Sequence, residues 1–151
     1  MKNLKIITGM FLAGLLFAFA PIKQDAPKKV TDAFHSKFPN AKQVRWDKEN
    51  ANEWEAEFKL NGKEYSANFL DDGTWKETEH KISTSELPKD LKMQIKQKFP
   101  GYKIEEPEIS ETDKGKMFEL VLEKDEIIKE VVANSNGQIL SQKKVTKADE
   151  D

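Results

Sequence analysis

The sequence predicts an α+β protein made of two tandem repeats, each a helix packed on a four-stranded antiparallel β-meander. Two observations carry this expectation. The helical opening Ala26-Pro27-Lys28-Lys29-Val30, followed by Phe34 and then Phe38-Pro39, returns as Leu87-Pro88-Lys89-Asp90-Leu91, followed by Ile95 and then Phe99-Pro100. The strand-like part returns as well. Trp54-Glu55-Ala56-Glu57-Phe58 and Asp72-Gly73-Thr74-Trp75 are answered by Phe118-Glu119-Leu120-Val121-Leu122 and Asn136-Gly137-Gln138-Ile139. What recurs is a pattern of apolar and turn residues with no reactive residue at matching positions, which points to a binding scaffold before an enzyme.

Residues 1–20 stand apart from this pattern. Lys2 and Lys5 precede an uncharged, mostly apolar run from Ile6 to Ala20 that ends in Ala18-Phe19-Ala20. The run is short for a membrane span, and its small-residue ending suits signal peptidase, so residues 1–20 read as a secretory signal peptide and the protein as periplasmic or secreted. Pro21 follows the obvious cut and hinders cleavage there, which leaves open a shifted cut or a retained anchor. After signal removal no membrane span is expected.

Residues 21–26 form a linker, 27–84 the first repeat, 85–145 the second and 146–151 a charged tail. The 151 residues contain no cysteine, which excludes disulfides and lipid attachment through an N-terminal cysteine. Loss of residues 1–20 removes Lys2, Lys5 and no acid, so the net charge moves from −2 to −4. A mildly acidic chain with interspersed charges has no basic stripe for nucleic acid.

Within the first repeat, Val30, Ala33, Phe34 and Phe38 share one helical face, and Leu91, Ile95 and Phe99 repeat the stripe. Pro27 and Pro88 suit the first helical turn, Thr84 or Ser85 is placed to cap the second helix, and Pro39 and Pro100 end both. Asn61-Gly62 predicts a type I′ hairpin that sets Phe58 opposite Tyr65, Ala56 opposite Ala67 and Trp54 opposite Phe69. Asp71-Asp72-Gly73 predicts a three-residue loop with Phe69 opposite Trp75, and Val44 and Trp46 belong to a preceding strand. In the second repeat Leu120 faces Val131 and Phe118 faces Ala133, whereas the first strand, around Ile104 and Ile109, is weakly patterned and Asp125-Glu126 is a poor turn pair.

Candidate chemistry is sparse. His35 lies off the apolar stripe, and His80, near Thr78, Glu77 and Glu79, has too few companions for zinc. Asp71-Asp72-Gly73 lacks the further ligands of a calcium loop. Carboxylates such as Glu55, Glu57, Glu105 and Glu106 are too abundant for a pair to be informative. No nucleophile elbow, phosphate loop or metalloprotease motif occurs. Neither a catalytic residue, a cofactor nor a metal is therefore assigned.

The candidate partner surface comprises Val121, Ile128 and Val132, on the face that carries Glu55, Glu57, Glu64 and Ser66 in the first repeat, together with Trp46, Trp54 and Trp75. β-Branched residues are favoured in strands for their own sake, and the tryptophans equally suit a core.

The Phe-Pro helix ends, Trp54 to Phe58, Phe69, Asp72-Gly73-Thr74-Trp75 and their counterparts Phe99-Pro100, Phe118 to Leu122 and Asn136-Gly137 resemble the PepSY-like proteins of the β-lactamase-inhibitor-like fold. The resemblance covers about residues 27–145. It implies a non-catalytic exported module whose sheet surface grips another envelope or secreted protein, as an inhibitor or assembly factor. A small-ligand or metal-binding protein working through the aromatic pocket or His80 is the alternative.

Overall fold

The computed structural model describes residues 25–145. The expected signal peptide, the linker up to residue 24 and the tail 146–151 lie outside the described residues.

Helix α1 spans Lys28–Lys37 and helix α2 spans Lys89–Lys98, each directly preceded by its proline and closed by a phenylalanine whose N–H donates to the carbonyl four residues back. The apolar stripes point inward: Val30 and Phe34 of α1, and Leu91 and Ile95 of α2, are buried. The expected cap on α2 from Thr84 or Ser85 is not formed. Ser83 instead closes a capping box on a single 3-10 turn, Thr84–Glu86, with the Glu86 carboxylate accepting the Ser83 N–H at 2.8 Å.

Eight strands follow these helices: β1 Lys42–Asn50, β2 Glu53–Leu60, β3 Lys63–Leu70 and β4 Trp75–Lys81 after α1, then β5 Lys103–Thr112, β6 Gly115–Lys124, β7 Ile127–Asn134 and β8 Ile139–Val145 after α2. The hairpin registers set by the turns are observed: Trp54 opposite Phe69, Phe58 opposite Tyr65, Phe69 opposite Trp75, and Leu120 opposite Val131. Both central residues of the Asn61-Gly62 turn have positive φ, as a type I′ turn requires.

The expected fold class of two tandem helix-plus-four-strand repeats is corrected by the sheet topology. All eight strands form one antiparallel sheet in the order β1 to β8. β4 and β5 pair from Glu77↔Thr112 to Lys81↔Glu108, so what two separate meanders would leave as exposed edges is one continuous hydrogen-bonded ladder. Unpaired strand edges invite aggregation, and pairing them with each other removes two of four. One edge that remains, β1, is broken by two register shifts and carries charged residues. The weak pattern of β5 also has a cause: Pro107 sits at a bulge between Glu105 and Glu108, where Glu106 has φ 38°.

Both helices lie on the same side of this sheet. Under α1, the Phe34 ring meets Phe58 edge-on at 5.0 Å between centroids and Trp46 at 5.2 Å, and Trp54, Ala56, Ala67 and Phe69 complete that cluster. Under α2 the core is aliphatic, with Leu91, Ile95, Leu120, Leu122 and Val131. Gly73 and Gly137 bring their turns hard against the helices: a Cβ at Gly73 would lie 2.8 Å from the Lys29 carbonyl oxygen, and one at Gly137 2.9 Å from the Leu91 nitrogen.

Two stability predictions follow from this packing. Phe69, 1% exposed, fills the space between Trp54 and Trp75, so Phe69→Ala should cost about 3–5 kcal/mol in chemical denaturation; a loss below about 1 kcal/mol would contradict the packing. Gly137→Ala, which adds a left-handed alanine to the close approach, should cost about 1–3 kcal/mol in the same measurement.

Candidate functional site

The structure separates the six candidate surface residues between the two faces of the sheet. Trp54 lies beneath α1, with its indole N–H donating to Asp71 Oδ1 at 2.7 Å. Trp46 packs on Phe34. Trp75 donates to Thr78 Oγ1 at 2.9 Å, with Lys37 Nζ 3.5 Å above its ring. All three belong to the helix-covered face. Val121, Ile128 and Val132 lie on the opposite face, with cross-strand partners Glu130, Glu123 and Glu119. Val121 sits diagonal to both of the others, so these three form one patch.

His35 is exposed, and the His80 ring lies tilted against Tyr65 with centroids 4.7 Å apart. Burial, and then Lys63, push the His80 imidazole below its ordinary value. Among the described residues no three acidic or histidine side chains gather closely enough to hold a metal ion.

The opposite face, which neither helix covers, carries a field of glutamates that sequence reasoning did not single out. Cross-strand register aligns Glu55, Asn68, Glu77 and Thr112 in one row, and Glu57, Ser66, Glu79, Ser110 and Met117 in the next. A third row holds Lys81, Glu108, Glu119 and Val132. Ser110 on β5 is fully buried, and its hydroxyl lies 3.4 Å from Glu77 Oε2. A depression on this face is lined by Glu55 on β2, Asn68 on β3, and Glu77 and Glu79 on β4, and reaches Glu108 on β5 and Glu119 on β6. The signal in the sequence was the alternation of glutamate at 53, 55 and 57, and again at 77 and 79. Alternation reads as a solvated strand face, and nothing local distinguishes an edge strand from a central one.

Arg45 pairs with Glu57 and Asp47, and Lys81 with Glu106. Among the described residues Glu55, Glu77, Glu79, Glu108 and Glu119 form no ion pair. Burial is the first cause that raises each of the five. Glu79 is pushed up to about 8, by burial and then by Glu77, Glu119, Glu108 and Glu55. Glu55 rises to about 7 through burial and then Glu49, Glu57 and Asp47. Glu119 also rises to about 7, through burial and then Glu77, Glu108 and Glu130.

Carboxylates whose folded values are raised contribute stability that is fully present below their unfolded value, and that contribution is lost as pH rises through the folded value. Asp71, Asp72 and Glu86, held below their ordinary values mainly by hydrogen bonds from Trp54, Thr74 and Ser83, act with the opposite sign. They lose their contribution only as pH falls through the ordinary carboxylate range. Thermal stability should therefore decline between about pH 5.5 and pH 8.5. Glu79→Gln should flatten that decline by raising stability mainly at the alkaline end, as melting curves at both pH values would show. An equal decline in wild type and variant would contradict this account of Glu79.

Solved structures share the architecture. A β-lactamase-inhibitor-protein-like (BLIP-like) protein from Bacteroides fragilis superposes with a TM-score of 0.74 at 19% identity, covering 85% of this chain and 92% of that one. A DUF2874 family protein from Bacteroides ovatus gives 0.74 at 19% identity, covering 82% and 92%. A protein from Bacteroides eggerthii, described as one of the "putative periplasmic proteins", gives 0.73 at 17%, covering 82% and 91%. At such identities the likeness is one of fold. No curated protein matches the sequence closely enough to count as a relative. Among the described residues no helix is long and apolar enough to cross a membrane, and the periplasmic or secreted localisation expected from the sequence accords with the description of the B. eggerthii protein. Residues 52–141, more than half of the chain, match the family described as "Putative beta-lactamase-inhibitor-like, PepSY-like", and the protein belongs to this PepSY-like family.

Proposed function

We propose that this protein is an exported, non-catalytic binding module of the bacterial envelope whose protein partner engages the sheet face opposite the two helices. The observation that carries the reading is the contrast between the two faces of one sheet. One is sealed by α1 and α2 over aromatic and aliphatic cores. The other keeps half-buried glutamates beside the Val121, Ile128 and Val132 patch, with no element of the described chain over them. Half-buried charge without a counter-charge is costly to a folded protein, and a surface used for binding is where such a cost is retained.

The electrostatics favour binding over catalysis. Acid–base pairs in enzymes work because their environments drive two groups apart, one kept protonated and one ionised. Here burial drives all five central glutamates in the same direction. The BLIP-like neighbour and the inhibitor-like description of the family support a partner that is itself a protein.

A photo-crosslinking amino acid placed at Val132, on the open face, should yield a discrete protein adduct in an envelope fraction. The same group at Met93, 56% exposed on α2, should not. In the chain that carries the cross-linker at position 132, Val121→Thr should weaken the adduct while the melting temperature holds. Adducts from Met93 alone would move the binding surface to the helix side and overturn this reading.

A further inference from the structure

Resting on that binding role, we infer that the partner inserts a lysine or arginine side chain into the depression of the open face, among Glu55, Asn68, Glu77 and Glu79, with Glu108 and Glu119 along its far side. Three independent features converge there. The central carboxylates have no ion-pair partner among the described residues, whereas the outer acids Glu57 and Glu106 are already matched by Arg45 and Lys81. The carboxyl groups that crowd the centre of the face are thus left without a matching cation. Lys76 beside Glu77 and Lys81 near Glu108 offset their charge only in part.

Asn68 supplies the second feature. It lies between Glu55 and Glu77 in its row, is 8% exposed, and its side chain makes no hydrogen bond among the described residues. Among the described residues no side-chain polar atom is both wholly enclosed and unpartnered, so the Asn68 amide keeps an opening onto the depression that it lines. A nearly buried amide that opens onto the depression is placed to bond a group that enters it. Its oxygen and the surrounding carboxyl groups, once they release their protons, are acceptors, the set that a guanidinium or ammonium group with several N–H donors satisfies.

The extent of the face is the third feature. The carboxylates run from β2 to β6, about 19 Å at the spacing of neighbouring strands. They continue into the apolar Val121 and Val132 patch, which a free cation has no means to use. With no three-ligand metal cluster among the described residues, a protein loop that offers one cation with flanking apolar side chains matches the whole face. The glutamates are already desolvated in the free protein, so the incoming cation replaces a bound proton or relieves like-charge repulsion. An acidic membrane surface or a nucleic acid would be repelled.

The test presents a phage library of disulfide-closed random loops to the folded wild-type protein and to Glu79→Gln and Glu119→Gln variants, made singly and together. Glutamine removes repulsion, so folding should persist; circular dichroism confirms it. Loops retained by the wild type should share one lysine or arginine at a fixed position and bind the double variant about tenfold or more weakly. They should fail when that residue becomes norleucine or citrulline, and should block the Val132 cross-link. Retained loops without a shared cation, or with equal affinity for the double variant, would overturn the cation site while leaving the Val132 adduct, and with it the binding role, intact. Displacement of the loops by equal concentrations of calcium or spermidine would overturn it in favour of a free-cation site. Absence of any adduct from the open face would instead bring down the binding role on which this inference stands.

Discussion

The pairing of β4 with β5 is the constraint on which the rest of the molecule depends. It joins strands separated in sequence by the 3-10 turn and α2, and by doing so converts two potential edges into the centre of an eight-stranded sheet. A single sheet has only two faces. Once both helices occupy one of them, every side chain pointing the other way along eight strands shares a common surface. The carboxylates of Glu77 and Glu79 therefore stand mid-sheet, with a strand on either side, and not on a hydrated rim.

That position explains the electrostatics without special pleading. Burial is the leading cause for each raised glutamate, with neighbouring carboxylates second for Glu55, Glu79 and Glu119. Glu119 is 6% exposed on β6 and looks across buried Ser110 toward β4. The hydrophobic cores on the far side supply the stability that lets the sheet carry this arrangement.

The helix-covered face shows the opposite use of charge. Lys37 and Lys48 lay their ammonium groups over Trp75 and Trp54, at 3.5 and 4.3 Å from the ring centroids, while Asp71 and Thr78 accept the two indole N–H groups. Each tryptophan thus has its apolar body in the core and its polar atom satisfied at the margin. The demand of α1 for an aromatic bed accounts for why these residues serve packing there, and why the two faces of one sheet differ so sharply.

The sequence by itself determined what short-range physics controls. Asn61-Gly62 encodes a turn with two positive φ values and so the register of β2 on β3; the apolar stripes and Phe-Pro pairs encode both helices and their ends; strict alternation encodes that Val121, Ile128 and Val132 share a face. At β5 the same logic weakened, because Pro107 and the bulge interrupt the period of two. Only the tertiary structure decided that β4 and β5 pair. No turn code spans the stretch between Lys81 and Lys103, and edge-to-edge pairing depends on the whole shape of two preformed surfaces. The burial of Glu77, Glu79, Glu108 and Glu119 followed from that decision, since a glutamate in an alternating strand has the same local pattern whether its neighbours are water or two more strands.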